Sequence, residues 1–199
     1  MKEANCSKCI QITTVINKTN INELDELYKI ISELELDSWR IVNMDPIGRA
    51  EDNKQLDLDK KDYILLFDFI KDIRKKSNFD ITYGCSHFLG EKYENELRNH
   101  MFFCLAGYTT ASILYNGDIY VCPNVEKVSE LIQGNVRNDN FIDIWENKFK
   151  WFRNENRLEN EECIKCEDWK YCRGDSLHTW DFKNKRPKVC MNKIIEGCK

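Results

Sequence analysis

The sequence predicts an α/β chain in two parts: a three-stranded parallel unit, then a small cysteine-rich unit built on a β-hairpin and short helices. Three observations point there. Apolar periodicity alternates strand, helix, strand, helix, strand over the first 85 or so residues. Asn116-Gly117 separates two β-rich runs, the strongest short hairpin signal. Seven of the ten cysteines lie at or after Cys104, and the stretch after Leu158 is irregular, polar and too poor in apolar material to fold without a staple.

The elements follow in order. Cys9 to Ile16 is β-branched and reads as a strand. Asn20 is a candidate N-cap with Glu23 as its capping-box partner, and Leu24, Leu27, Ile30, Ile31 and Leu34 follow at helical spacing. Trp39 to Met44 is a second strand, leaving through Asp45-Pro46-Ile47-Gly48-Arg49-Ala50. Lys60 to Lys76 is a second helix with Tyr63, Phe67, Ile70 and Ile73 on one face, and Phe79 to Tyr83 is a third strand. This order argues for parallel strands joined by crossovers. Three parallel strands neither close a barrel nor cover both their faces, so residues 1 to about 85 read as part of a larger α/β unit. Beyond them, Thr109 to Tyr115 and Asp118 to Val121 flank Asn116-Gly117, which predicts a type I′ turn. Phe141 to Phe152 reads as an amphipathic helix with Trp145 and Phe149 inward, and the acidic run Glu155 to Glu162 reads as solvated surface.

Composition excludes several classes. The 30 basic and 34 acidic residues leave a net charge of −4, so no basic face is expected for a nucleic acid. The longest apolar runs, such as Ile64 to Phe67, fall far short of the roughly 20 residues that span a bilayer, so no membrane partner is expected. The first residues, Met1 to Cys6, carry no apolar signal region, and the chain is expected to be cytoplasmic. In that compartment clustered cysteines hold metals or clusters more often than disulfides.

The cysteines have a definite spacing. Cys104 is followed by twelve residues and Gly117, then by four residues and Cys122. After a gap come Cys163-x2-Cys166, five residues, Cys172, a second gap, and Cys190. A C-x2-C pair puts two thiolates on one tight loop, and distant cysteines complete four-fold coordination. Thiolates suit zinc and iron–sulfur clusters alike, so ligand type alone leaves both open.

The pattern C-x12-G-x4-C, gap, C-x2-C-x5-C, gap, C resembles the seven-cysteine motif of the SPASM domain in radical S-adenosylmethionine (radical SAM) enzymes that modify peptides and proteins. Gly117 to Pro123, Gln133 to Val136 and Ile142 to Trp145 resemble the family's hairpin and the stretch between its cysteine groups. Upstream, Val15 to Lys18, Asn20 to Leu24 and Pro46 to Ala50 are similar to the last strands and helices of the family's partial (β/α)6 barrel. The resemblance implies a partial, half radical SAM β/α barrel over residues 1–99, and a SPASM-like auxiliary cluster domain over residues 100–199. It implies that Cys163, Cys166, Cys172 and Cys190 bind one [4Fe-4S] cluster, and that Cys104 and Cys122 belong to a second. The family's further ligand for that second cluster falls on Ser176, whose hydroxyl is a poor iron ligand. Cys85 is then either a third thiolate of that cluster or a buried thiol.

Equally informative is a motif these residues lack. The radical-generating C-x3-C-x2-C loop does not occur; Cys6-x2-Cys9 is the nearest approach, with Lys2 where the third cysteine would fall. No catalytic residue is assigned. S-adenosylmethionine is expected as a cofactor only in the complete enzyme, along with a peptide or protein substrate; the chain is then a fragment of that enzyme or a split half whose N-terminal half is a separate chain. His87, His100 and His178 are not spaced as a metal triad, and Arg49 stands either near a ligand or in a salt bridge. The competing reading is a stand-alone cluster or zinc protein acting as a binding or electron-transfer module.

Overall fold

A computed structural model of the chain describes residues 9–84 and 87–197. The chain divides into two compact units, Met1–Phe102 with Cys190–Lys199, and Phe103–Val189.

The first unit is built on a parallel sheet. β1 (Gln11–Ile16), β2 (Ser38–Asn43) and β3 (Asp80–Tyr83) lie in sequence order, Gln11 opposite Ser38 and Ser38 opposite Asp80. Helix α1 (Leu24–Ser32) connects β1 to β2, and α2 (Lys60–Lys76) connects β2 to β3. α2 begins where predicted because Asp59 accepts from the backbone of Lys61 and Asp62, while Asp62 accepts from Asp59 in return. Such a cap is worth about 0.5–2 kcal/mol. Its expected face, Tyr63, Phe67, Ile70 and Ile73, is buried together with Leu66. The Phe67 ring meets those of Tyr83 and Tyr93 at 5.3 and 4.9 Å.

The start of α1 departs from expectation. Asn20 makes no side-chain cap; its amide donates to the Val15 carbonyl and its oxygen accepts from Asn17, and a single 3-10 turn over Ile21–Glu23 leads into the helix. The competing local hydrogen bonds of asparagine decide this. α3 (Glu91–Leu97) and α7 (Met191–Ile195) pack on α2. Glu94 on α3 is fully buried and accepts from the backbone of Leu89 and Phe102 at 2.8 and 2.9 Å.

The second unit holds an antiparallel sheet of β4 (Ser112–Ile113), β5 (Asp118–Tyr120) and β6 (Gly134–Asn135), followed by α4 (Phe141–Asn147). The hairpin turn is not type I′. Gly117 takes φ 90°, Asn116 does not have positive φ, and the Gly117 amide donates to Leu114 while Leu114 donates to Asp118. This is a three-residue loop with glycine at its left-handed position. A Cβ on Gly117 would stand 2.8 Å from Asn135 Oδ1, the side chain that ties β6 to the turn.

α4 ends at Asn147, five residues earlier than predicted. Arg153 donates to the carbonyls of Trp145 and Gly107 and lies 4.4 Å from the Trp145 ring, so long-range bonds replace the last helical turns. Phe149 and Phe152 still reach the core, beside Ile119, Tyr120, Val121 and Leu158. The cysteine-rich segment forms two single-turn helices, α5 (Glu161–Ile164) and α6 (Trp169–Cys172), and a hairpin of β7 (Trp180–Asp181) and β8 (Arg186–Pro187).

Candidate metal centre

Six of the seven cysteines expected to bind clusters are described, and all six are half-buried thiols outside any disulfide. Cys85 lies outside the described residues, as does Cys6. Cys9 is exposed.

Three of the thiols sit on one hydrogen-bonded path. Asn160 caps α5 by accepting from Cys163 at 2.8 Å, and Cys166 donates to the Cys163 carbonyl at 3.0 Å, so both ends of the C-x2-C share one turn. Trp169 then donates to Cys166, and Cys172 to Asp168, which starts and ends α6. Arg173, Gly174 and Asp175 follow with φ of 51, 81 and 73°, three left-handed residues that turn the chain sharply after Cys172. Gly174 passes so close to Leu158 that an added Cβ would be 2.5 Å from the Leu158 side chain. Cys190 is the N-cap residue of α7 and belongs to the first unit.

Cys104 and Cys122 both pack against the core of the second unit. Cys122 follows β5, on a loop pinned by Tyr120. The Tyr120 hydroxyl donates to Glu126 O at 2.7 Å and accepts from Val128 N at 3.0 Å, and burial pushes its pKa up. Cys104 is held through its own carbonyl, which accepts from Arg157 at 2.9 Å.

Ser176 is buried, and its hydroxyl is 2.9 Å from Thr179 Oγ1. It is therefore committed to a local hydrogen bond. Among the described residues, no three His, Cys, Asp or Glu side chains are gathered closely enough to hold a single metal ion. The donor set nonetheless fits an iron–sulfur cluster in chemistry: reduced, half-buried thiols carried on turns, with the C-x2-C pair on one of them. A cubane spreads its thiolates around a body of iron and sulfide wider than one ion.

The other residues singled out resolve as follows. His87 is fully buried, with Nε2 2.7 Å from Asp45 Oδ1, and Asn43 joins Asp45 to the Tyr83 hydroxyl. Sequence periodicity carries no signal for this network, whose members meet only through the parallel pairing of β2 and β3. Arg49 is exposed. In the run Glu155 to Glu162 the four glutamates are exposed as expected, but Leu158 is buried and Arg157 turns inward.

Residues 104–167 match the sequence profile of the SPASM domain, an iron–sulfur cluster-binding domain. Curated relatives include AdoMet-dependent heme synthases of Methanosarcina barkeri and Nitratidesulfovibrio vulgaris. Each is 23% identical over 180 residues, covering 82% of this chain and 50% or 48% of the relative. The chain thus spans about half the length of the curated relatives it matches. Among solved structures, Streptococcus suis SuiB aligns with a TM-score of 0.63 at 21% identity, over 93% of this chain and 45% of SuiB. The structure of anSMEcpe with bound AdoMet and Kp18Cys peptide aligns with a TM-score of 0.55 at 20% identity, over 86% of this chain and 48% of that one. The α/β architecture of this chain is that of about half of such an enzyme. The cluster-binding profile, the heme synthase relatives and the shared fold agree: residues 104–167 match a SPASM iron–sulfur domain, and the chain is similar in sequence and fold to part of the radical SAM/SPASM enzymes.

Proposed function

We propose that this chain is the auxiliary-cluster-binding portion of a radical SAM/SPASM enzyme that modifies a peptide or protein, and that these 199 residues alone do not cleave S-adenosylmethionine. The observation that carries the reading is the SPASM match over residues 104–167, which spans Cys104, Cys122, Cys163 and Cys166. By the family pattern, Cys163, Cys166, Cys172 and Cys190 hold one [4Fe-4S] cluster. Cys104 and Cys122 belong to a second, whose further ligand position falls on Ser176, with Cys85 either a third thiolate of that cluster or a buried thiol. When bound, an auxiliary cluster supplies one-electron transfer beside a substrate. The chain's own part is to hold the thiolates: Asn160 fixes the C-x2-C turn, the left-handed run fixes the exit from Cys172, and Tyr120 fixes the Cys122 loop.

Support for a peptide substrate comes from the neighbours. SuiB has been solved bound to its precursor peptide SuiA, and anSMEcpe with Kp18Cys and Cp18Cys peptides. The absent C-x3-C-x2-C loop motivates the inactivity of these residues alone; the complete enzyme would supply it. A second reading follows from the curated relatives, whose name makes the substrate a heme precursor.

The test is reductive cleavage of S-adenosylmethionine to 5′-deoxyadenosine, assayed anaerobically. The chain alone should give none. Mixing it with a family N-terminal half that carries C-x3-C-x2-C should restore turnover, and a peptide rather than a porphyrin should be consumed. Turnover by the chain alone refutes the inactivity, and consumption of porphyrin refutes the peptide reading.

A further inference from the structure

Arg157 occupies an unusual place for a guanidinium. It sits in an acidic, polar run yet is half-buried, lying against Tyr108 at 5.1 Å. Its nitrogens donate to the carbonyls of Ala106 at 2.7 Å, Phe152, and Cys104 at 2.9 Å. Among the described residues no carboxylate pairs with it. Burial lowers its pKa below the ordinary guanidinium range, opposed by the charge of Cys104, then of Tyr108, and by a hydrogen bond with the Cys104 side chain. An arginine stays charged all the same. A cation drawn partly out of water is favoured where an anion faces it, and the group the fold places here is Cys104, which becomes anionic when it ligates a cluster.

We propose that Arg157 is the positioning and charge-compensating residue of the cluster ligated by Cys104 and Cys122, and that it raises the reduction potential of that cluster. The inference rests on the assignment of Cys104 as a cluster ligand made above. The two contacts to the Cys104 and Ala106 carbonyls fix that stretch of backbone, and so the direction in which the thiolate leaves, while the third ties it to Phe152. The fixed positive charge favours the more negative, reduced cluster over the oxidised one, as hydrogen bonds and charges at cluster sulfurs do generally. Lysine could keep the charge but not the planar fork that reaches three carbonyls.

The experiment uses the full chain, reconstituted anaerobically with iron and sulfide and titrated with dithionite under EPR. The signal lost in Cys104→Ala defines the cluster in question. Arg157→Gln should move the midpoint of that signal to more negative potential, Arg157→Lys should restore it most of the way, and the midpoint of the other cluster should not move. An unchanged midpoint in Arg157→Gln overturns the proposal, since a brace with no electrostatic role would leave the potential alone. Should Arg157→Gln fail to fold, the wild-type chain grown on 15N-arginine still decides. Pulsed EPR of the Cys104-dependent signal should show 15N coupling, and its absence overturns the proposal. A wild-type chain with no Cys104-dependent signal overturns the ligand assignment and the proposal with it, a result distinguishable from the other two.

Discussion

Replacing Gly174 with alanine puts a single methyl group into the turn that follows Cys172, and its cost can be worked from the geometry. Gly174 takes φ 81°, a left-handed conformation that costs a non-glycine residue about 1–2 kcal/mol. The new Cβ would lie 2.5 Å from Leu158 Cβ and 2.8 Å from the Leu158 carbonyl oxygen. Leu158 is 1% exposed and packed in the core, so it has nowhere to withdraw. Overpacking of this kind costs about 1–3 kcal/mol. Together these give about 2–5 kcal/mol, a fall in melting temperature of about 4–20 °C for a chain of this size. Gly48→Ala is the control: Gly48 also has positive φ, 55°, but nothing lies within 4 Å of its Cβ position. It should pay the backbone term alone, about 1–2 kcal/mol. The assay is thermal unfolding followed by near-ultraviolet circular dichroism, with bound iron measured on each variant. Gly174→Ala should melt below Gly48→Ala and retain less iron. Equal melting temperatures and equal iron would refute the claim that close packing against Leu158 holds the exit from Cys172.

Two further predictions concern the Cys104–Cys122 site. Ser176→Cys should raise iron and sulfide per chain, at a cost of about 0.5–1.5 kcal/mol for the hydrogen bond with Thr179; unchanged iron would dissociate Ser176 from cluster binding. Tyr120→Phe frees the Glu126–Val128 loop by removing two hydrogen bonds, leaving the Val128 amide without that acceptor. It should destabilise the chain by about 1–3 kcal/mol in urea unfolding and weaken the Cys104-dependent EPR signal, and full retention of both would show that the loop does not need the hydroxyl.

What the sequence made legible were the features set by local chemistry. α2 could be read because Asp59 and Asp62 box its start and a 3.6-residue apolar stripe runs its length. The parallel sheet could be read because three β-branched runs alternate with helices. The C-x2-C turn could be read because its spacing is its geometry. The features that escaped depend on partners far along the chain. Asn135 and Arg137 approach the hairpin from beyond β5 and crowd the turn at Gly117. Arg153 ends α4 by bonding to Gly107, 46 residues away. Arg157 resembles its solvated neighbours in sequence, and only the return of the chain past Cys104 gives it carbonyls to bind. The one hint was Leu158, an apolar residue inside an acidic run.

The most direct test of the account is the anaerobic content of iron, acid-labile sulfide and zinc in the reconstituted chain. Ligation by Cys163, Cys166, Cys172 and Cys190 predicts about four irons and four sulfides per chain from the cubane stoichiometry, rising toward about eight where the Cys104–Cys122 cluster also fills. Alanine at Cys163 or Cys166 should remove the first four. Stoichiometric zinc without sulfide would contradict the account, because it would make these thiolates a zinc site rather than the seat of a cluster.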